Sequence, residues 1–395
     1  MEIRKVYLDN AATTKVKKEV LDAMLPVLGE GYGNPSSVHG FGREGKKLLD
    51  EARANTAALI GASADEIYFT SGGSEADNWA IMGAAFANTG KGKHIITTQI
   101  EHHAVLHTCE YLEKKHGFEV SYLPVQPNGI LDIQELKNAL RQDTILVSIM
   151  FANNEIGSVQ PIEEIAALCR EKKVLFHTDA VQAVGNLPID VKALKVDMLS
   201  MSGHKLYSPK GTGALYIRKG LRIENLMHGG AQEKKKRGGT ENVPGIVAFG
   251  TACRLAKENF EEHAKRLTEL REYLIEGVLE RIPHTIVTGD REKRLPGTAS
   301  FCFEFIEGEA LLLSLDLVGI AGSSGSACTS GSLDPSHVLM AIGLTHEIAH
   351  GSLRLSLSDY TTKEELDYVL EQLPPIVERL RNMSPLYEDF LKGEK

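Results

Sequence analysis

Residues 174–205 read VLFHTDAVQAVGNLPIDVKALKVDMLSMSGHK. Two apolar runs of strand length, VLFHTD around Leu175 and DMLSMS around Leu199, each break off into polar residues. The first ends in Asp179, with Gln182 three residues on, and the second in Ser202, Gly203, His204 and Lys205. Similar runs flank this stretch: EIYFTS near Ile67, HIITT near Ile95, EVSYL near Val120, TILVSIM near Leu146 and GALYI near Leu215. Segments with helical periodicity lie between them, namely ADNWAIMGAAFA, VLHTCEYLEKK, IQELKNALR and PIEEIAALCREKK. This βαβα order predicts an α/β fold with a largely parallel sheet covered by helices on both faces.

Further along, residues 244–281 turn long and helical with no strand. A strand (TASFCFEF), two helix candidates, a second strand (LRLSLS) and a closing helix over 362–380 follow. The pattern predicts a large α/β domain over residues 15–260 and a smaller α+β domain over 1–14 and 261–395. A chain of 395 residues is long enough for two such units. No internal repeat of fixed period is visible.

Composition narrows the class. Hydrophobic residues make up 42% and charged ones 25%, enough apolar material for cores and too much for a disordered chain. The net charge of −9 argues against a nucleic-acid or anionic-membrane partner. The opening MEIRKVYLDN carries no apolar run of a secretion signal, and the apolar-leaning stretch 317–333 is too rich in Gly and Ser to span a bilayer. A soluble, cytoplasmic protein is expected. The five cysteines, Cys109, Cys169, Cys253, Cys302 and Cys328, are odd in number and form no CxxC, which argues against a disulfide framework or a four-thiolate zinc site.

Three short motifs point elsewhere. Gly40, Gly42 and Gly45 spell GxGxxG, but the turn-rich GNPSSVH precedes them in place of a strand, and Lys47 stands where a P-loop needs Ser or Thr. HEIAH, residues 346–350, matches the zinc-peptidase HExxH, yet Gly343 and Gly351 bracket it and a strand follows at once. That leaves too short a helix for two metal ligands on one face. The run Lys234, Lys235, Lys236, Arg237, flanked by Glu233 and Glu241, reads as a solvated loop.

The strand ends carry the chemistry, because open α/β sheets bind ligands beyond their carboxyl ends. EIYF runs into TSGGSEADNW, where paired glycines and Ser74 as helix N-cap suit an anion such as phosphate. HIITT leads to Glu101 and His102. One face thus gathers an anion cradle, the Asp179 carboxylate, the Gln182 amide, an imidazole and Lys205. Pyridoxal phosphate needs such a set: a lysine for its aldehyde, an anion for its ring nitrogen, phosphate donors and a flat group on the ring. In AGSSGSACTSGS, residues 321–332, Cys328 is the one reactive side chain, and the Gly and Ser content predicts a flexible arm. Six extended residues give a reach of about 20 Å. Composition does not choose between a sulfur-carrying arm and a linker with an incidental cysteine. Arg354 alternates with Leu353 and Leu355 on its strand, and is either exposed or a fork for a substrate carboxylate.

Taken in order, VYLDNAATT, GNPSSVH, TSGGSEADN, EHHAVL, NNEIG, HTDAVQAVG, SGHK, HGG, GGTEN, SSGSACTSGSLDPSHV and RLRNMSP resemble the cysteine desulfurases. These are pyridoxal-phosphate enzymes of the aminotransferase fold type I, and the resemblance covers almost the entire chain. The long arm resembles the first group of the family, and HTDAVQAVG, GTENV and GSLDPSHV its nitrogen-fixation type. The resemblance implies pyridoxal 5′-phosphate as cofactor, with Lys205 as the lysine that carries it. Asp179 then pairs with the ring nitrogen, Gln182 and Asn154 lie on the ring's oxygen side, and His102 stacks on the ring and carries a proton for sulfur. Gly73, Ser74, Ser202 and His204 match phosphate positions. Thr240 matches a threonine that reaches the phosphate of the other subunit, which implies a homodimer. Arg354 and Asn34 match the pair that holds the carboxylate of L-cysteine. Cys328 matches the nucleophile that becomes a persulfide and serves an iron–sulfur scaffold protein, where any cluster contact is transient; no resident metal is implied. Ser74 replaces a more usual Thr, and the three lysines before Arg237 replace a mixed Arg and Gly stretch. An aminotransferase or selenocysteine lyase shares Lys205 and Asp179 without needing Cys328, whereas a hydrolase built on HEIAH needs zinc.

Overall fold

The computed structural model describes residues 4–324 and 335–393. Its strands are β1 (Val6–Tyr7), β2 (Ile67–Thr70), β3 (His94–Thr98), β4 (Glu119–Leu123), β5 (Thr144–Ser148), β6 (Leu175–Asp179), β7 (Met198–Ser202) and β8 (Gly213–Ile217), followed by β9 (Thr285–Val287), β10 (Thr298–Phe303), β11 (Ile320–Ala321) and β12 (Ser352–Ser356). Every residue of β3, β5, β7 and β8 is buried, as expected of strands with helices on both sides. They belong to a seven-stranded sheet of order β2-β8-β7-β6-β5-β3-β4, parallel except that β8 runs antiparallel to both β2 and β7. Period-two alternation divides its side chains between two cores. Ala214 and Tyr216 join one with Leu199 and Met201, while Leu215 and Ile217 join the other with Met198.

A third core belongs to the smaller sheet, β12-β10-β9, where Phe301, Phe303, Leu353 and Leu355 pack against Leu274 and Val278 of the helix Phe260–Arg281 and against Leu370 and Leu373 of the helix Lys363–Asn382. The N-terminal segment returns to this unit: β1 pairs with β11, and Asp9 bridges to Ser356.

Two local readings change, and the rejected GxGxxG stretch finds its place. The long helical region is two helices, Val243–Glu258 and Phe260–Arg281, divided at Asn259. GxGxxG lies inside the helix Gly40–Leu59, where its glycines serve packing: a Cβ on Gly42 would stand 2.2 Å from the Ser37 carbonyl oxygen and one on Gly45 2.6 Å from that of Gly33. The Lys234–Arg237 run is not wholly solvated. Glu233 is buried and accepts two 2.7 Å hydrogen bonds from Arg53, and Arg237 grips Glu75, whose carboxylate also accepts from the Ser71 N–H. Glu233, Lys234 and Lys235 take φ of 43°, 58° and 67°, a left-handed run unusual for residues with a Cβ, which this buried ion pair holds in place.

HEIAH forms a single turn, His346–His350, ending at Gly351 before β12. Among the described residues no group of three His, Cys, Asp or Glu side chains is placed to hold a metal ion, and no helix is long and apolar enough to cross a membrane.

An ion cluster ties the two units together near Lys205. Lys17 Nζ and His263 Nδ1 each lie 2.5 Å from Asp359, and the Asp359 N–H donates to the Tyr207 hydroxyl at 2.9 Å. Burial opposes ionisation, but the hydrogen bond and charge of His263, then those of Lys17, hold Asp359 at about 2. A depressed carboxyl pKa stabilises the fold fully above the unfolded value of about 4, and that contribution fades as pH falls through about 2. Asp359→Asn is therefore expected to cost of order 2 kcal/mol near neutral pH. In urea unfolding, the gap between wild type and variant should narrow as the pH is lowered towards about 2.

Candidate active site

The carboxyl ends of β6 and β7, the start of the helix Gly73–Ala87 and the strand β12 meet around a cavity of about 370 Å³, a size suited to a small organic ligand. Lys205, Asp179, Gln182, His102, Asn154, Ser202, His204, Gly73, Ser74 and Arg354 all line it. Ten residues named from the sequence therefore share one wall. Three do not. Thr240 is exposed and lines a separate cavity of about 210 Å³ with Ser71 and Arg237. Asn34 is exposed in the loop before the helix Gly40–Leu59, its Oδ1 accepting from the Ser36 N–H at 2.9 Å, and is not among the cavity residues. Cys328 lies outside the described residues.

The cavity also takes residues the sequence reading passed over: Asp9, Ala11, Ala12, Asp77, Met150, Ala152, Val181 and Ser323. Lys205 Nζ donates to the carbonyls of Ala11 and Ala12 at 2.5 and 2.6 Å, and Gln182 Nε2 donates to Ala11 at 3.0 Å. Main-chain acceptors of this kind leave no side-chain signal in a sequence. Arg354 is 5% exposed, with Nη1 donating to the Asn154 carbonyl and Nη2 to Asp9 Oδ1, both at 2.9 Å. Its buried Nε has no partner among the described residues, so one donor remains for a ligand.

At the anion end, Gly72 is the N-cap of the helix Gly73–Ala87; Ser74 sits inside the first turn and is not the cap. Gly72 takes φ 156°, and a Cβ on Gly73 would come 2.7 Å from Val181 Cγ2, so a side chain at either position would disturb the cradle. The first-turn N–H groups lack partners within the helix and favour an anion. Burial, with Lys205 and Lys210 adding to it, pushes His204 down to about 4, which leaves it neutral beside that end. At the other end burial raises the Asp179 pKa, while His102, the Val181 N–H and Lys205 pull it down. A cation above it would tip it to the carboxylate. His102 caps the helix His103–His116 by accepting the Ala104 N–H at Nδ1, 3.1 Å away, which puts the proton of the neutral ring on Nε2. The glycine cradle, a carboxyl and a lysine in one cavity fit pyridoxal phosphate, with its anionic phosphate, basic ring nitrogen and aldehyde.

Comparison with known proteins agrees. The family model for class-V aminotransferases matches residues 6–369. The chain belongs to the class-V aminotransferase family. It is thereby a pyridoxal-phosphate-dependent enzyme of fold type I. It is 56% identical over 394 residues to a Clostridium botulinum protein named cysteine desulfurase IscS, with 99% of each chain covered. Among solved structures, a NifS-like protein superposes with a TM-score of 0.90 at 41% identity, covering 95% of this chain and all of that one. A structure titled SspA in complex with cysteine matches with a TM-score of 0.81 at 39% identity, covering 91% of this chain and all of that one.

Proposed function

We propose that the protein is a cysteine desulfurase, removing sulfur from L-cysteine to give L-alanine and a persulfide on Cys328. The observation that carries this reading is the convergence of Lys205, Asp179, His102 and Arg354 on one cavity whose wall includes Ser323, five residues ahead of Cys328 in the chain. The names of the relatives and the cysteine-bound structure support the same substrate.

When bound, pyridoxal phosphate supplies a sink for charge left on the α-carbon of the amino acid. The chain's own residues do the rest. Arg354 offers Nε to the substrate carboxylate, and Asn34 is the second holder in this reading. Lys205 moves the α-proton, His102 Nε2 holds the proton that passes to or from sulfur, and Asp179 would pair with the cofactor's ring nitrogen. The Cys328 thiolate attacks the substrate sulfur: an S–S bond forms, the Cβ–S bond breaks and Cβ gains a proton, leaving alanine. The four described cysteines are poor candidates for this role. All are buried, and burial pushes the thiols of Cys169, Cys253 and Cys302 up to about 12 and that of Cys109 higher still.

The persulfide is then passed to an iron–sulfur scaffold protein in the cytoplasm. Within that role, the GTENV and GSLDPSHV strings favour supply to nitrogenase cluster assembly, whereas the curated relative's name carries no such restriction. Loss of nitrogenase activity alone, against loss of cluster enzymes generally, in a deletion strain separates the two. The homodimer of this reading has support in an exposed apolar face. Leu21, Leu25 and Leu28 are 43–54% exposed on the helix Lys18–Gly29, and exposed Tyr32 stacks on Phe41 at 5.6 Å. In this reading Thr240, exposed and not among the residues lining the site cavity, serves the phosphate of a second copy. The domain division at residues 15–260 against 1–14 with 261–395 is supported by the separate core of the smaller sheet.

The direct test is L-alanine release from L-cysteine by cofactor-loaded protein with a reductant present, expected with matching sulfide. No alanine would remove cysteine as substrate and leave transamination and selenocysteine cleavage. Arg354→Lys is expected to raise KM for cysteine about tenfold or more, with a smaller change in kcat, because an ammonium keeps the charge but cannot bond Asn154 and Asp9 and still present a donor where Nε stands.

A further inference from the structure

A second carboxyl in the cavity wall has no part in the proposed chemistry. Asp77 lies four residues after Gly73 in its helix, is 1% exposed and lines the same cavity as Asp179. Its Oδ1 has no hydrogen-bond partner among the described residues. The basic nitrogen beside it, His177 Nε2, is 3.6 Å away and is already bonded to Ser200 Oγ at 2.9 Å, with Nδ1 bonded to Ser148 Oγ at 2.9 Å. His177 is itself dry, and burial pushes it down to about 3, so it is neutral and brings no counter-charge. Glu101, a third buried carboxyl, is held by Thr98 and by the Met150 N–H. The Lys205 ammonium bears on Asp179 and favours its anion. The helix N-terminus favours anions only through its first turn, and Asp77 sits beyond it. With the buried Asp179 carboxyl in the same wall, ionising Asp77 as well is costly.

The geometry points to Asp77 as a positioning residue that stays protonated, so that the cavity floor presents one negative charge, seated on Asp179, to a ligand bearing one positive charge. The surrounding groups agree in direction. Burial raises Asp77 well above the usual carboxylate range, the charges of Asp179 and Glu101 add to this, and Ser200 alone opposes it. Glu101 is pushed up to about 8, also mainly by burial. A neutral acid at Asp77 leaves the pairing between Asp179 and the ring nitrogen one to one, whereas a second anion would unbalance it.

The inference rests on the cavity being the pyridoxal-phosphate site, and the experiment separates the two. Full-length protein labelled with carbon-13 aspartate is examined by infrared spectroscopy at about pH 8, with and without pyridoxal phosphate, beside Asp77→Asn and Asp179→Asn variants. A label-sensitive carboxylic-acid carbonyl band is expected in the wild type and absent from Asp77→Asn. Because asparagine copies the neutral acid, Asp77→Asn should bind pyridoxal phosphate within about threefold of wild type, while Asp179→Asn weakens it more than about tenfold. The inference is overturned if the labelled wild type shows no acid band, if the band survives in Asp77→Asn, or if Asp77→Asn weakens binding as much as Asp179→Asn does. The wild-type band needs no variant to fold. Failure of the wild type to bind pyridoxal phosphate would overturn the cavity assignment instead.

Discussion

Cys328→Ala is expected to bind pyridoxal phosphate and stay yellow, yet lose cysteine turnover by about a thousandfold or more. The reason is chemical. The cavity supplies charge, orientation and proton transfer, but the sulfur must leave on a nucleophile, and the described cysteines are buried thiols that titrate far above neutral pH. The described residues of the cavity wall are unchanged in this variant, so the cofactor spectrum should survive. Retained turnover with thiol acceptors would show that sulfur passes directly to solution and that the nucleophile assignment is wrong.

The second large effect is expected from Lys205→Ala. Lys205 reaches the Ala11 and Ala12 carbonyls across the cavity, next to Asp179 and His204. Removing the amine takes away both the covalent tether for the aldehyde and the base for the α-proton. Alanine formation should fall by about a thousandfold or more, and borohydride should no longer fix the cofactor to the chain. Retention of that reducible link in Lys205→Ala would place the tether on another lysine. A merely structural lysine would instead leave the link and lower only stability.

The fold was legible where burial wrote a pattern into the chain. β3, β5, β7 and β8 are continuous apolar runs because both faces are covered, and such runs stand out in a sequence. β1, β9 and β11 have two or three residues each, too few to show any period, and β1 finds its partner only at Ile320. The helix Gly40–Leu59 was obscured by glycines, which weigh against a helix interior, although Gly42 and Gly45 make room for the preceding loop at residues 33–37.

The site was legible for a related reason. A polar residue directly after an apolar strand has no structural need to be there, which singled out Asp179, Ser202, His204 and Lys205. Asp77 escaped because an aspartate in ADNWAI looks like the polar face of a helix, although nearly every neighbour in that segment is buried. Asp9 escaped because its role, an ion pair with Arg354, spans almost the whole chain. Ser74 was misread as a cap because a serine before a helix usually is one; here Gly72 takes the position through its backbone.

The central claim is that this cavity takes sulfur from cysteine and stores it on Cys328. One turnover without reductant tests it most directly: cofactor-loaded protein is mixed with one equivalent of L-cysteine, quenched, and examined by mass spectrometry while free L-alanine is counted. The account predicts one alanine per added mass of one sulfur atom, located on the peptide containing Cys328. Alanine without that added sulfur, or sulfur on Cys109, Cys169, Cys253 or Cys302, would contradict it.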